Sequence, residues 1–261
     1  MIFTNNIDPI FLSLGGLQIH WYGLFFAAGI VFCYLFLMRN FAKRGYPVEL
    51  VDSLAIYLFF GLLIGARLGQ VFFYEPDYFL ANPIEILKVW HGGLASHGAA
   101  IGLLIAYLIW LKAHKVKFSK YVDLLVVPMP VAAACVRIGN FFNSEIIGNP
   151  TNENYGVIFK KLGEDFPRHP AQLYEGLLCL FTFGVLYFLY KKYYGKLPPM
   201  FILFTFIFVY FLGRFGLEYF KDLHGPLPTD FPLSMGQVLS ILPVLLAVGY
   251  YGWVMLKAQR K

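Results

Sequence analysis

Apolar runs long enough to cross a bilayer recur along the whole chain, and a bilayer allows few ways of folding them. Hydrocarbon offers the backbone no hydrogen-bond partner, so each crossing segment must satisfy its own N–H and C=O groups, as a helix does. The runs are about 18 residues or longer, the length a membrane helix needs, and charged or Pro/Gly-rich breaks bound them. They predict membrane helices at 18–38, 52–74, 95–112, 121–142, 171–190, 199–219 and 235–256. The expected fold class is therefore all-α: a polytopic membrane protein with seven transmembrane helices, forming a single integral membrane domain over 1–261. The longest break, near 143–169, holds Asn, Gly, Lys and Asp and is expected to form a short extracytoplasmic arm.

Composition agrees. The chain is 59% hydrophobic and 14% charged, whereas soluble domains are about 45–50% apolar and about 25% charged. Aromatic residues make up 19% and suit belts at the membrane–water interfaces. The net charge of +6 is dispersed over short loops. It forms no finger, basic helix or glycine-rich nucleotide loop, so no nucleic-acid partner is expected. Cys33, Cys135 and Cys179 all lie in apolar stretches without metal-type spacing and read as small buried hydrophobes. The N-terminus lacks the basic start of a cleaved signal peptide, so the first apolar run is expected to remain as a helix.

Lys and Arg alternate between the breaks. Arg39, Lys43, Arg44, Lys112, Lys115, Lys117, Lys120, Lys191, Lys192, Lys196, Lys257, Arg260 and Lys261 fall on one side; Lys88, Lys160, Lys161, Arg168 and Lys221 fall on the other. The richer side faces the cytoplasm, which puts the N-terminus outside and the C-terminus in the cytoplasm.

The remaining basic residues, Arg67, Arg137 and Arg214, lie within the apolar runs. A charge at the centre of a bilayer costs about 2.5–3.5 kcal/mol on insertion scales, so intramembrane charges point to function. The topology puts all three in the outer halves of helices 2, 4 and 6. It also puts Tyr22, His97 and the Gln172–Glu175 stretch near the outer starts of helices 1, 3 and 5. A polar layer at one depth implies a cavity toward the outer leaflet, and lipid phosphate is the abundant anion there.

Arg137, Asn140 and Ser144 share a face if their helix persists, while Asn143, Glu145 and Gly148 fall where it should unravel. Arginine binds phosphate bidentately and asparagine donates to the remaining oxygens. Small residues surround His97 in His91-Gly92-Gly93-Leu94-Ala95-Ser96-His97-Gly98, leaving room for a ligand beside a group that can move a proton. Spacing does not make His91 and His97 a metal pair. Tyr210, Arg214 and Glu218 form one stripe, in which Glu218 either neutralises Arg214 or joins it at a ligand. Gln172 and Glu175 open helix 5 behind Arg168-His169-Pro170, and Glu175 is a candidate to hold His97 or substrate. Gly61, Gly65 and Gly69 predict tight helix packing, with Arg67 on another face.

Together these motifs resemble the bacterial prolipoprotein diacylglyceryl transferase family over nearly the whole chain. The matching pieces are His20-Trp21-Tyr22-Gly23-Leu24, Gly65-Ala66-Arg67-Leu68-Gly69, the stretch through His97-Gly98, and Arg137-Ile138-Gly139-Asn140-Phe141 with Asn143, Glu145 and Gly148. His169-Pro170, Gln172-Leu173-Tyr174-Glu175, Arg214 with Glu218, and Ser234-Met235-Gly236-Gln237 complete them. Val136 stands where the signature usually has Gly, and Lys221 where many relatives have Arg.

The resemblance implies a multi-pass enzyme of the bacterial cytoplasmic (inner) membrane, acting toward the outer leaflet. It would transfer the diacylglyceryl group of phosphatidylglycerol to the lipobox cysteine of a prolipoprotein signal peptide, the first step of lipoprotein maturation. Glycerol phosphate would leave, and no metal or organic cofactor is needed. The implied catalytic residues are His97, Arg137, Arg214, Glu145 and Glu218. Substrate-binding residues are Arg137, Asn140, Asn143, Tyr22, Tyr210, Glu175, Gly148 and Arg67. His97 is the first choice for the thiol's base; Glu145, Glu175 and Glu218 are candidates to orient it, hold an arginine or act as base. A transporter of an anionic solute and a structural role are the competing classes.

Overall fold

The computed structural model describes residues 1–88, 93, 95–152, 154–222 and 232–259. Three short strands, β1 (Ile2–Asn5), β2 (Ile10–Leu14) and β3 (Leu17–His20), lead into helix α1 (Trp21–Lys43). Then follow α2 (Glu49–Phe73), α3 (Pro76–Ala81), α4 (Ser96–Ala113), α5 (Phe118–Leu125) and α6 (Met129–Phe142). After α6 come β4 (Gly156–Phe159), α7 (Ala171–Tyr193), α8 (Phe201–Leu217), a 3₁₀ turn at Glu218–Phe220 and α9 (Met235–Gln259).

The protein is mostly helical. The five segments Trp21–Lys43, Glu49–Phe73, Ala171–Tyr193, Phe201–Phe220 and Met235–Gln259 are long and apolar enough to cross a membrane, and a sixth joins them if the bent α5–α6 pair is one span. The helix α4 is apolar but shorter. Two expectations are corrected. The chain is not purely α-helical: β2 and β3 form an antiparallel hairpin, and β1 pairs in parallel with the distant β4. The helix expected at 121–142 is broken into α5 and α6 with a bend of 46°. Pro128 and Pro130 explain the break. Each lacks an N–H and disfavours helical geometry in the residue before it.

The chain divides into two compact units, Met1–Phe36 with Tyr121–Lys261, and Leu37–Lys120. In the second unit, α2 and α4 pack along a glycine seam. A Cβ at Gly65 would lie 2.7 Å from the Gly102 Cα, and one at Gly69 would lie 2.7 Å from the Gly98 Cα. With no side chains between them, the backbones approach closely, and van der Waals contact replaces the hydrophobic drive that lipid cannot supply.

In the first unit, α1 meets α6 at Gly29, where a Cβ would lie 2.8 Å from the Ala132 Cα. Rings of Phe32 and Phe36 meet Phe183, Tyr187 and Tyr190 of α7. Phe204 and Tyr250 stack at 4.1 Å to join α8 and α9. Asp123 of α5 accepts hydrogen bonds from the Met200 and Leu203 amides (2.7 and 2.9 Å), capping α8 from another helix.

Candidate active site

The site is built at the C-terminal ends of α6 and α8 and the first turns of α7 and α9, all in the first unit. Glu175, one turn into α7, is 1% exposed. Three cations converge on its carboxylate. Arg137 Nε lies 2.5 Å from one oxygen; Arg214 Nη1 lies 3.5 Å from the other, which also pairs with Lys221 Nζ. These cations come from α6, α8 and the segment just after the 3₁₀ turn. A carboxylate cut off from water needs such compensation, since an unpaired buried ion is strongly destabilising.

From Arg137 a polar chain runs along the C-terminal end of α6. Its Nη1 donates to Asn140 Oδ1 (3.3 Å), and Asn140 Nδ2 donates to Glu145 Oε2 (3.0 Å). Asn143 Nδ2 donates to the other Glu145 oxygen (3.1 Å). Gln172 Nε2 donates to the Glu145 backbone carbonyl at 2.5 Å, tying α7 to this turn. The Arg137–Asn140 spacing thus makes the expected contact. Ser144 does not share the face, because the helix ends at Phe142 and Ser144 and Ile146 take left-handed φ values of 55° and 54°. Non-glycine residues are strained there, and such strain gathers at functional turns. Buried side-chain oxygens of Asn143, Ser144 and Gln172 have no hydrogen-bond partner here.

Glu218 lies within electrostatic range of Arg214, as its place on the stripe suggests, but its ion-pair partner is another residue. Its carboxylate pairs with Lys221 at 3.5 Å and rests on the first turn of α9. Gly236 makes that seat possible, since the three atoms nearest an added Cβ all belong to the Glu218 carboxylate. The helix N-terminus supplies partial positive charge to an anion held there. A capping box fixes the turn: Gln237 N donates to Ser234 Oγ (3.1 Å) and Ser234 N to Gln237 Oε1 (3.0 Å). Tyr210 and Glu218 lie within electrostatic range of Arg214.

Tyr22 enters from α1. Its ring packs on Gly139, where a Cβ would lie 2.9 Å from Tyr22 Cδ2, and it lies within electrostatic range of Arg137 and Glu145. Gly148 is buried in a backbone seam, donating to the His169 carbonyl (2.9 Å) and accepting from Arg168 Nη1 (3.2 Å). The seam joins three segments: Asn149 N donates to Phe220 O (2.9 Å) and Asp222 N to Ile147 O (3.3 Å). Arg168 locks it through Glu164 (2.6 Å to each oxygen) and Asp222 (2.8 Å). Hydrogen bonding to Glu164 holds the Arg168 proton more tightly than usual. His169 sits between Tyr174 (Oη to Nδ1 3.2 Å) and Tyr155 (Oη to Nε2 3.5 Å), and burial pushes its imidazole below the usual range.

Arg67 and His97 belong to the other unit. Arg67 is 5% exposed and donates to the carbonyls of Ile86 (3.0 Å), Gly93 (3.1 Å), Lys88 (3.3 Å) and Glu85, with Phe79 under its guanidinium at 4.8 Å. It pins the backbone at Glu85, Ile86, Lys88 and Gly93. His97 is exposed on the first turn of α4. His91, Gly92 and Leu94 of the same motif lie outside the described residues. Among the described residues, no three His, Cys, Asp or Glu side chains gather as metal ligands would.

Sequence reasoning underrated Lys221, now seen paired with both buried glutamates, and passed over Arg168. The signal for Lys221 was its position three residues after Glu218; for Arg168, a basic residue beside a helix-opening proline, the signal was slight.

Comparison with known proteins shows the family of the chain. The family model for prolipoprotein diacylglyceryl transferase matches residues 9–253. A protein of Tolumonas auensis named phosphatidylglycerol–prolipoprotein diacylglyceryl transferase is 41% identical over 243 residues, covering 93% of each chain. One of the same name from Chloroherpeton thalassium is 43% identical over 246 residues, covering 93% of this chain and 91% of its own. Another, from Dechloromonas aromatica, is 37% identical over 254 residues and 95% of each chain.

Proposed function

The chain belongs to the prolipoprotein diacylglyceryl transferase family, and on that premise we propose that it moves the diacylglyceryl group of phosphatidylglycerol onto the lipobox cysteine of a prolipoprotein. The observation that carries the reading is the convergence of Arg137, Arg214 and Lys221 on buried Glu175. Three cations gathered at the ends of apolar helices form a seat for a lipid phosphate.

The reaction is a displacement at carbon. The cysteine sulfur, as thiolate, attacks the diacylglyceryl carbon that bears the phosphate oxygen. A C–S bond forms, the C–O bond breaks, and its electron pair goes to the phosphate oxygen. The phosphodiester monoanion becomes a glycerol phosphate monoester, and the thiol proton goes to a base. Arg137 and Arg214 clamp the phosphate and stabilise the charge that grows on it. Asn140 and Asn143, held on Glu145, complete the hydrogen bonds of the phosphate, and Tyr22 and Tyr210 border the headgroup. The sequence pattern nominates His97 as the thiol's base.

The same reading takes the apolar helices as seven spans, counting α4 and joining α5 to α6. It puts the N-terminus outside, the C-terminus in the cytoplasm and the 143–169 arm on the outer side of the bacterial inner membrane. The positive-inside pattern of the loops supports this.

The test is transfer by the purified protein from phosphatidylglycerol to a synthetic lipobox peptide, read by mass spectrometry. One diacylglyceryl group should appear on the cysteine and none on a Cys→Ser peptide. Arg137→Ala should lower turnover by at least about 100-fold, as losing an oxyanion donor does. A folded, lipid-supplied wild type that makes no product would refute the transferase reading.

A further inference from the structure

Glu175 is the residue whose position the reaction does not explain. A site for an anion would bind it more strongly without a carboxylate at its centre, yet Glu175 lies there 1% exposed, between all three cations. Glu218, 7% exposed, adds a second carboxylate through Lys221. Arg137, Arg214 and Lys221 against Glu175 and Glu218 leave a balance of one positive charge. Glu145 is exposed, so water screens its charge.

One positive charge matches a phosphodiester, which is a monoanion. It does not match a phosphomonoester, which carries close to two negative charges above its second pKa of about 6. The proposed reaction converts the first into the second. We infer that Glu175 is a specificity-determining counter-ion that sets the site to one net positive charge, so that it holds a phosphodiester headgroup and releases the phosphomonoester product. The inference rests on the reading that this cluster holds the lipid phosphate.

The geometry suits the task. Glu175 reaches Arg137 through one oxygen and Arg214 and Lys221 through the other, so one carboxylate gathers cations from three segments. An arriving phosphate shares those cations without displacing the carboxylate from its helix. As the C–O bond breaks, the added charge is drawn to the arginines; once the monoester is free, the same charge meets Glu175 and Glu218 with too few cations to balance all of it. Stabilisation confined to the transition state raises turnover, whereas equal stabilisation of product would only slow its departure.

The test compares two water-soluble probes on the full-length protein in detergent at pH 8: glycerophosphoglycerol, a diester monoanion, and glycerol phosphate, a monoester dianion. Equilibrium binding is measured for wild type, Glu175→Gln and Glu175→Asp. Wild type should prefer the diester. Glu175→Gln should shift the affinity ratio toward glycerol phosphate by about tenfold, the effect of one charge acting through partly screened protein, and Glu175→Asp should keep the wild-type ratio. Lys221→Gln removes a cation instead and should shift the ratio the opposite way, which tests the same balance if Glu175→Gln does not fold. An unchanged ratio in Glu175→Gln, or an equal shift in Glu175→Asp, overturns the inference. Arg137→Ala separates the two claims: if it leaves the binding of both probes unchanged, the phosphate site itself is wrong; if it weakens both while Glu175→Gln leaves the ratio alone, only the counter-ion role fails.

Discussion

Gly236→Ala should disable the site while sparing the fold. The three atoms nearest the new methyl are the carboxylate atoms of Glu218, all well inside van der Waals contact. They end a flexible side chain, so the protein can yield there without moving a helix, and the stability loss should be about 1 kcal/mol, the low end for overpacking. The functional loss should be much larger. To regain contact the carboxylate must retreat about 1 Å, a displacement that costs about 100-fold when it misplaces a reacting group. Glu218 would leave the first turn of α9 and its 3.5 Å pairing with Lys221, which in turn holds Glu175. The assay is diacylglyceryl transfer to the lipobox peptide, with thermal unfolding in detergent as the control. Gly236→Ala should lower kcat/KM by about 100-fold with little change in Tm, and Glu218→Asp added to it, one methylene shorter, should restore part of the activity. Activity within about twofold of wild type would refute the claim that the Glu218 seat matters. A collapse of stability with Glu218→Asp giving no relief would place the clash in the backbone instead.

Other expectations follow from the same packing. Arg168→Ala removes the partner of Glu164 and Asp222 and should cost about 2 kcal/mol, between exposed and buried ion-pair losses; thermal unfolding and proteolysis of the 143–169 arm would show it, and Arg168→Lys should recover only part. His169 is held below its ordinary pKa by burial, so the unfolded chain takes up its proton first as pH falls. Its contribution to stability should be whole above pH ~6.5 and lost as pH drops through the depressed folded value, a slope that His169→Asn should flatten in pH-dependent melts. Gly65→Leu puts a side chain where Gly102 Cα lies 2.7 Å from a Cβ, so α2 and α4 must part; a loss of about 1–3 kcal/mol and faster amide exchange along both helices should result, and exchange at the wild-type rate would contradict the seam.

Much of this protein is written in its sequence because a membrane removes choices. Once water is excluded, a run of about 20 apolar residues must be helical, so α1, α2, α7, α8 and α9 fall close to the predicted ranges. Intramembrane charge is equally legible, since its cost singles out Arg67, Arg137 and Arg214 wherever they sit. The i,i+3 contact of Arg137 with Asn140 follows from helical geometry alone, and so did the reading of Gly61, Gly65 and Gly69 as a packing seam.

Tertiary structure decided which charges meet. Nothing local pairs Arg137 with Glu175 or sets Glu218 on the start of α9, because those partners come from separate helices whose rotation and depth are set by packing. Arg67 shows the limit from the other side: the same residue type in the same kind of run is taken up by backbone carbonyls of its own unit. The strands β1 and β4 escaped notice because each is four residues long, and they pair across more than 150 positions of chain. The break at Pro128 was visible as a proline, but its angle depends on what α5 and α6 pack against. Sequence patterns report what each segment must do with its own backbone and its own solvent; electrostatic partnership is a property of where segments end up relative to one another.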